Sequence, residues 1–132
     1  MPSNRPTAEE LLEALGGYLK AEVLPNLSGN AKYHLQVALN AVAILGREIA
    51  SAAEFDDAER ARLSALLGVS GTREELNRLL CQRIRDRHLS YRDPKLIDHL
   101  IETAMAKLAI DNPKYATYAR ALAAQSSDTA MR

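Results

Sequence analysis

The chain has no tryptophan and a single phenylalanine, Phe55. A core without large aromatic rings has to be filled by Leu, Ile, Val and Ala, the palette of packed helices. It has one cysteine, Cys81, which excludes an internal disulfide and a cysteine-built zinc cluster. Cys81 falls among the apolar positions Leu80 and Ile84, so a buried, unreactive thiol is expected. There is no net charge: 17 Lys and Arg balance 17 Asp and Glu. A nucleic-acid binder needs surplus cations to displace counterions from phosphate, so no nucleic-acid partner is expected. The same balance leaves little long-range repulsion between copies and permits self-association. Met1 to Pro6 lack the apolar stretch of a signal peptide, and no apolar run approaches transmembrane length. A cytoplasmic protein without a membrane partner is the expectation. There is also no Gly-rich phosphate loop, no G-x-S-x-G elbow, no H-E-x-x-H helix and no supported Cys/His dyad. No motif therefore calls for catalysis, and no cofactor is expected.

What is present fits one helical domain. The 132 residues are enough for a single core, and 47% hydrophobic with 26% charged residues is the balance of a globular chain. Thr7 and Glu10 form a capping box, after which Leu12, Leu15, Leu19 and Val23 recur at helical spacing until Pro25. Gly16-Gly17 weakens this first helix, which calls for a close neighbour or a bend. The second helix is expected from Ala31 to about Ala53. Leu35 to Leu45 is apolar almost all round, as in a helix enclosed by others or lying in an interface. Asp56 with Glu59 reads as a second capping box that opens a third helix, which stops at Gly68. Thr72 with Glu75 opens a fourth, carrying Leu76, Leu79, Leu80 and Ile84. Asp93-Pro94 supplies an N-cap and N1 proline for a fifth, with Leu96, Ile97, Leu100, Ile101, Ala104, Met105 and Leu108. Asn112-Pro113 ends it, and a short last helix holds Tyr115, Tyr118 and Leu122. The expectation is an all-α, single-domain bundle of five to six helices with a largely buried second helix. A flexible arm over residues 1–6 precedes the bundle at 7–123, and a flexible tail covers 124–132.

Three stretches together resemble an uncharacterised bacterial all-helical domain family of unknown function. They are Arg5 to Leu12, Tyr33-His34-Leu35 through Asn40 to Ile44, and Lys107-Leu108-Ala109-Ile110-Asp111-Asn112-Pro113-Lys114-Tyr115. The resemblance runs from about Arg5 to Leu122. It implies a setting rather than an activity: members tend to be encoded beside aminoglycoside/choline-kinase-like phosphotransferases and acyl-CoA dehydrogenases. A phosphotransferase-like kinase is then the implied protein partner, in acyl-CoA-related metabolism.

Candidate site residues come from polar side chains on otherwise apolar helices. Tyr33, Gln36, Asn40 and Arg47 share one face of the second helix, while His34, Ala38, Ala41, Leu45 and Glu48 lie on another. A buried Asn40 needs partners, since an unsatisfied core amide costs about 1–3 kcal/mol. It either fixes helix register or lines a polar pocket or subunit interface. Lys107 and Asp111 lie one turn apart and, with Asn112 and Tyr115, offer a cation, an acid and a phenol, enough to orient a phosphate or carboxylate. The same residues are also plain helix-end chemistry. His34, Asn40, Lys107, Asp111, Asn112 and Tyr115 are thus the candidate ligand-binding set, between the second helix and the end of the fifth.

His99 and Glu102 have a spacing that holds metals, but the paired Glu-x-x-His motifs of di-iron bundles are missing. His99 is expected at the surface beside Asp98, and no metal is expected. Leu63 to Arg78 imitates a helix-turn-helix, yet Glu74 and Glu75 would meet DNA phosphate in its first turn. Arg78, Arg83, Arg85, Arg87 and Arg92 read better as a solvated face or a docking patch for an acidic partner. A non-catalytic accessory domain, binding the kinase-like protein or itself as a homodimer, is the leading expectation. A small-molecule binder or minor enzyme using the six candidate residues is the alternative.

Overall fold

The structure, a computed structural model, describes residues 4–131. Met1 to Ser3 of the expected arm and Arg132 of the expected tail lie outside the described residues. Among the described residues there are five α-helices and no strand: α1 (Ala8–Tyr18), α2 (Gly29–Leu67), α3 (Arg73–Arg85), α4 (Pro94–Asp111) and α5 (Ala116–Ala130). The fold is all-α. The chain divides into two compact units, one ending at Ala52 and the other beginning at Ala53.

In the first unit, Thr7 caps α1 as its sequence dictates. Its hydroxyl accepts from Glu10 N at 3.1 Å, and Glu10 Oε2 accepts from Thr7 N at 3.0 Å. Beyond Tyr18 the chain stays helical through a π-helical turn, Leu19–Val23, and a 3-10 turn, Leu24–Asn26. Leu12, Gly16, Leu19 and Val23 form a half-buried row on one side, and Leu35, Leu39, Val42 and Gly46 form a matching row on α2. Gly16 and Val42 mark where the rows meet: a Cβ at Gly16 would lie 3.6 Å from Val42 Cγ1. That is ordinary contact, looser than the close neighbour that is one of the two alternatives for the glycine pair, the other being a bend.

The expected burial of the second helix is not found. No residue of α2 before Leu63 is buried, and Tyr33, Val37, Leu45 and Ile49 are all more than two-fifths exposed. Nor does that helix stop at Ala53. It runs on to Leu67, because no Pro or Gly interrupts it between Gly46 and Gly68 and the stretch is rich in Ala. Asp56 and Glu59, expected to cap a new helix, bind across to α3 instead. Asp56 Oδ1 accepts from Arg73 Nη1 at 2.7 Å, and Glu59 Oε1 accepts from Asn77 Nδ2 at 3.2 Å. α2 also contains an 18-residue window that could cross a membrane by length and composition alone, contrary to the expectation above.

The second unit holds the core. Leu63 and Leu67 of α2, Leu76 and Leu80 of α3 and Leu96 of α4 are buried together, with Leu66, Leu79, Ile84 and Leu89 packed against them. α2 ends where Gly68 adopts φ +72° and its N–H donates to Ser64 O at 2.8 Å. The carbonyl of Leu67 accepts from Arg83 Nη1 at 2.9 Å, which ties this end to α3. The capping box of Thr72 and Glu75 and the N-cap of Asp93 are both formed.

The expected burial of Cys81 fails on α3, and α4 buries only part of its apolar pattern. Cys81 is exposed, because Leu76 and Leu80 set the inward face and position 81 turns roughly 100° away from it. Ile97, Leu100 and Ile101, part of the apolar pattern of this helix, are 40–49% exposed, since α4 turns Leu96 and His99 inward. α4 closes at Asn112, whose N–H donates to Leu108 O. α5 follows Pro113 and continues to Ala130, past the end expected near Leu122.

Candidate functional site

The polar centre of the second unit is built around Arg62. On α4, His99, Glu102 and Thr103 stand at i, i+3 and i+4, so they share the face turned to Arg62 of α2. Arg62 Nε donates to His99 Nδ1 at 3.4 Å and Nη2 donates to Thr103 Oγ1 at 3.2 Å. Nη1 lies 3.4 Å from Glu102 Oε2. One guanidinium fork thereby engages three side chains of the next helix.

His99, expected at the surface, is only 4% exposed. The cause is its place one turn after Leu96 on the inward side of α4. Burial holds its pKa below the ordinary 6.5, and the Arg62 cation adds to this, while Glu59 and Glu102 partly oppose it. Accepting at Nδ1 fixes the neutral tautomer with its proton on Nε2. An acid–base histidine has the reverse arrangement, with a carboxylate behind Nδ1 that stabilises the imidazolium. Here a cation occupies that place, so the pair suits a helix clamp better than proton transfer.

Two open grooves flank this clamp, and Arg62 and Glu102 border both. One, of about 330 Å³, is rimmed by Lys95, Asp98 and His99 above Ala65 and Leu66. The other, of about 490 Å³, has Phe55, Met105, Tyr118 and Leu122 among its walls. Among the described residues no group of three His, Cys, Asp or Glu side chains converges as a metal site.

All six residues of the candidate ligand-binding set are exposed. His34 and Asn40 belong to the first unit, the other four to the second. The burial assumed for Asn40 is absent, so its amide can be satisfied by solvent and fixes no register. The His34 ring lies 5.7 Å from that of Tyr33, centroid to centroid. Lys107 and Asp111 form no ion pair among the described residues, while Tyr115 N donates to Asn112 O at 3.1 Å in the turn before α5. Sequence reasoning missed Arg62 and Thr103 altogether. The available signal is the spacing of His99, Glu102 and Thr103 at i, i+3 and i+4, of which the first two alone read as metal-site spacing.

No curated protein and no solved structure matches the chain. A family match covers residues 25–115, from the turn before α2 to the start of α5. The chain belongs to the family described as Domain of unknown function (DUF6285).

Proposed function

We propose that the chain is a non-catalytic, cytoplasmic protein-interaction domain that docks through its first unit. The observation that carries this reading is the apolar surface of that unit. None of its described residues is buried, yet Leu11, Leu15, Tyr18, Tyr33, Val37, Leu45 and Ile49 are each at least 43% exposed. Covering what remains exposed of each is worth about half of the 1.5–3 kcal/mol of a full burial, and an apolar surface left open in this way is the usual mark of an interface. The family resemblance supplies one partner to test, a phosphotransferase-like kinase of acyl-CoA-related metabolism, and the chain's own zero net charge supplies the other, a second copy.

The test is size-exclusion chromatography with light scattering, on the protein alone and mixed with the kinase-like protein encoded nearest to it. Elution above the 14.5 kDa chain mass, alone or in the mixture, supports the reading. Independent elution of two monomers at high concentration overturns it. A small-molecule binder is the second reading, favoured by the grooves on either side of Arg62. A ligand there would raise the thermal midpoint of the wild type and not of Arg62→Ala.

A further inference from the structure

We propose that the partner of the first unit is a second copy of the same chain, docked antiparallel across a two-fold axis that passes beside Ala41. This rests on the interaction reading above and specifies its occupant.

The inner row of α2, Leu35, Leu39, Val42 and Gly46, is half-buried toward α1. A second row, His34, Val37, Ala41, Leu45 and Glu48, lies more than a quarter-turn away around the helix, and every member is exposed. Its spacings of three, four, four and three residues are those of a seam between packed helices. A helix with two such rows is built to contact two neighbours, and the hairpin supplies one.

The order of the outer row says what the other is. It reads the same from either end: polar, large apolar, small, large apolar, polar. Laid antiparallel on itself with Ala41 facing Ala41, it sets Val37 against Leu45 of the second copy, twice over. It also sets His34 against Glu48, so an imidazole N–H meets a carboxylate at both ends of the seam. Ala41, the smallest member, falls at the crossing, where close helix approach needs a small side chain. Lys32 and Arg47 project to other sides of α2, so no like charges face each other on the seam. Self-complementarity of this kind is what a two-fold interface requires.

The test uses the full chain and sedimentation velocity over a range of concentrations. The wild type is expected at twice the 14.5 kDa chain mass. Ala41→Glu, with two carboxylates meeting at the axis, should weaken the dimer by more than about 100-fold, the scale of an uncompensated buried charge, with helical circular dichroism unchanged. His34→Glu should also weaken it, and adding Glu48→Lys should restore it, which a merely structural role for His34 would not do. In a Cys81→Ser background, Ala41→Cys should link to itself on mild oxidation. Ala31→Cys should not, since its counterpart would lie about 30 Å away along the paired helices. A monomeric wild type, a dimer indifferent to Ala41→Glu, or binding to lipid vesicles in place of dimerisation would each overturn the proposal. If the monomer still forms a complex with the kinase-like protein, the dimer alone has failed and the interaction reading stands. If it forms neither, both have failed.

Discussion

Arg62 Nε and His99 Nδ1 lie 3.4 Å apart on facing helices, and the histidine is almost wholly buried while the arginine is half-buried. Protonating His99 would remove the acceptor and place two cations in contact, with Glu59 and Glu102 as the nearby carboxylates that soften the cost. The folded-state pKa lies below the unfolded value, so the native state favours the neutral ring. Its contribution to stability is complete above the unfolded pKa near 6.5 and is lost as pH falls through the lower folded value. Urea midpoints of the wild type should decline from pH 7 toward pH 5. His99→Gln, which keeps a polar group but does not titrate, should flatten that decline. Parallel curves for the two proteins would show that the clamp is not the titrating element.

Leu63 is fully buried and belongs to a core of five leucines contributed by three helices. So few fully buried residues make each one a large share of the stability. Leu63→Ala should cost about 2–5 kcal/mol by lost transfer energy and the cavity left behind, read as a lower urea midpoint at unchanged slope. Leu100→Ala, on the same helix as buried Leu96 but half-exposed, should cost far less.

The contrast between Thr72–Glu75 and Asp56–Glu59 explains how much of the fold was legible. Both pairs have the spacing of a capping box, and only the first forms one. A cap forms when the backbone ahead of it has left the helix; after Ala53 nothing in the chain forces it out. Asp56 and Glu59 then found Arg73 and Asn77, partners that local spacing cannot reveal. Element identity was therefore readable from Thr7, Thr72, Asp93 and Pro113, whose effects are local. Burial was not. Apolar positions on α2 and α4 exceed what one chain encloses, and a periodic pattern does not say which of two stripes faces inward. His99 was misplaced for this reason, and Arg62 overlooked.

Arg73 stands between Asp56 at 2.7 Å, Glu59 at 3.6 Å and Glu74 at 3.2 Å, and these carboxylates raise its pKa, the hydrogen bond to Glu74 most. Arg73→Ala should loosen the seam between α2 and α3 by about 1 kcal/mol or less, because the pairs are partly exposed. The loss should shrink further as salt is raised from 0.05 to roughly 0.5 M, since screening weakens the pairs in the wild type. A loss independent of salt would point to packing of the arginine stem instead.

Cys81 lies on the outward face of α3 with no covering residue implied by the core. In the native protein it should react with a thiol reagent at nearly the rate found in denaturant. Protection by more than about 100-fold, the range of thiols reached only through unfolding, would mean that a partner covers α3.

Gly16 and Gly68 should respond to alanine with opposite sign. Gly68 holds φ +72° at the end of α2, and although space is open around it, a side chain there strains the backbone. Gly68→Ala should destabilise the second unit by about 1 kcal/mol. Gly16 sits inside α1 with ordinary helical geometry, and its added methyl would meet Val42 Cγ1 at 3.6 Å, a normal contact. Gly16→Ala should gain about 0.5–1 kcal/mol from reduced unfolded-state freedom, plus a small packing gain in a unit none of whose described residues is buried. A loss at Gly16 would mean that α1 and α2 approach more closely in solution, one of the two alternatives that the glycine pair offers. Thermal midpoints of the two variants, measured side by side with the wild type, decide between these outcomes.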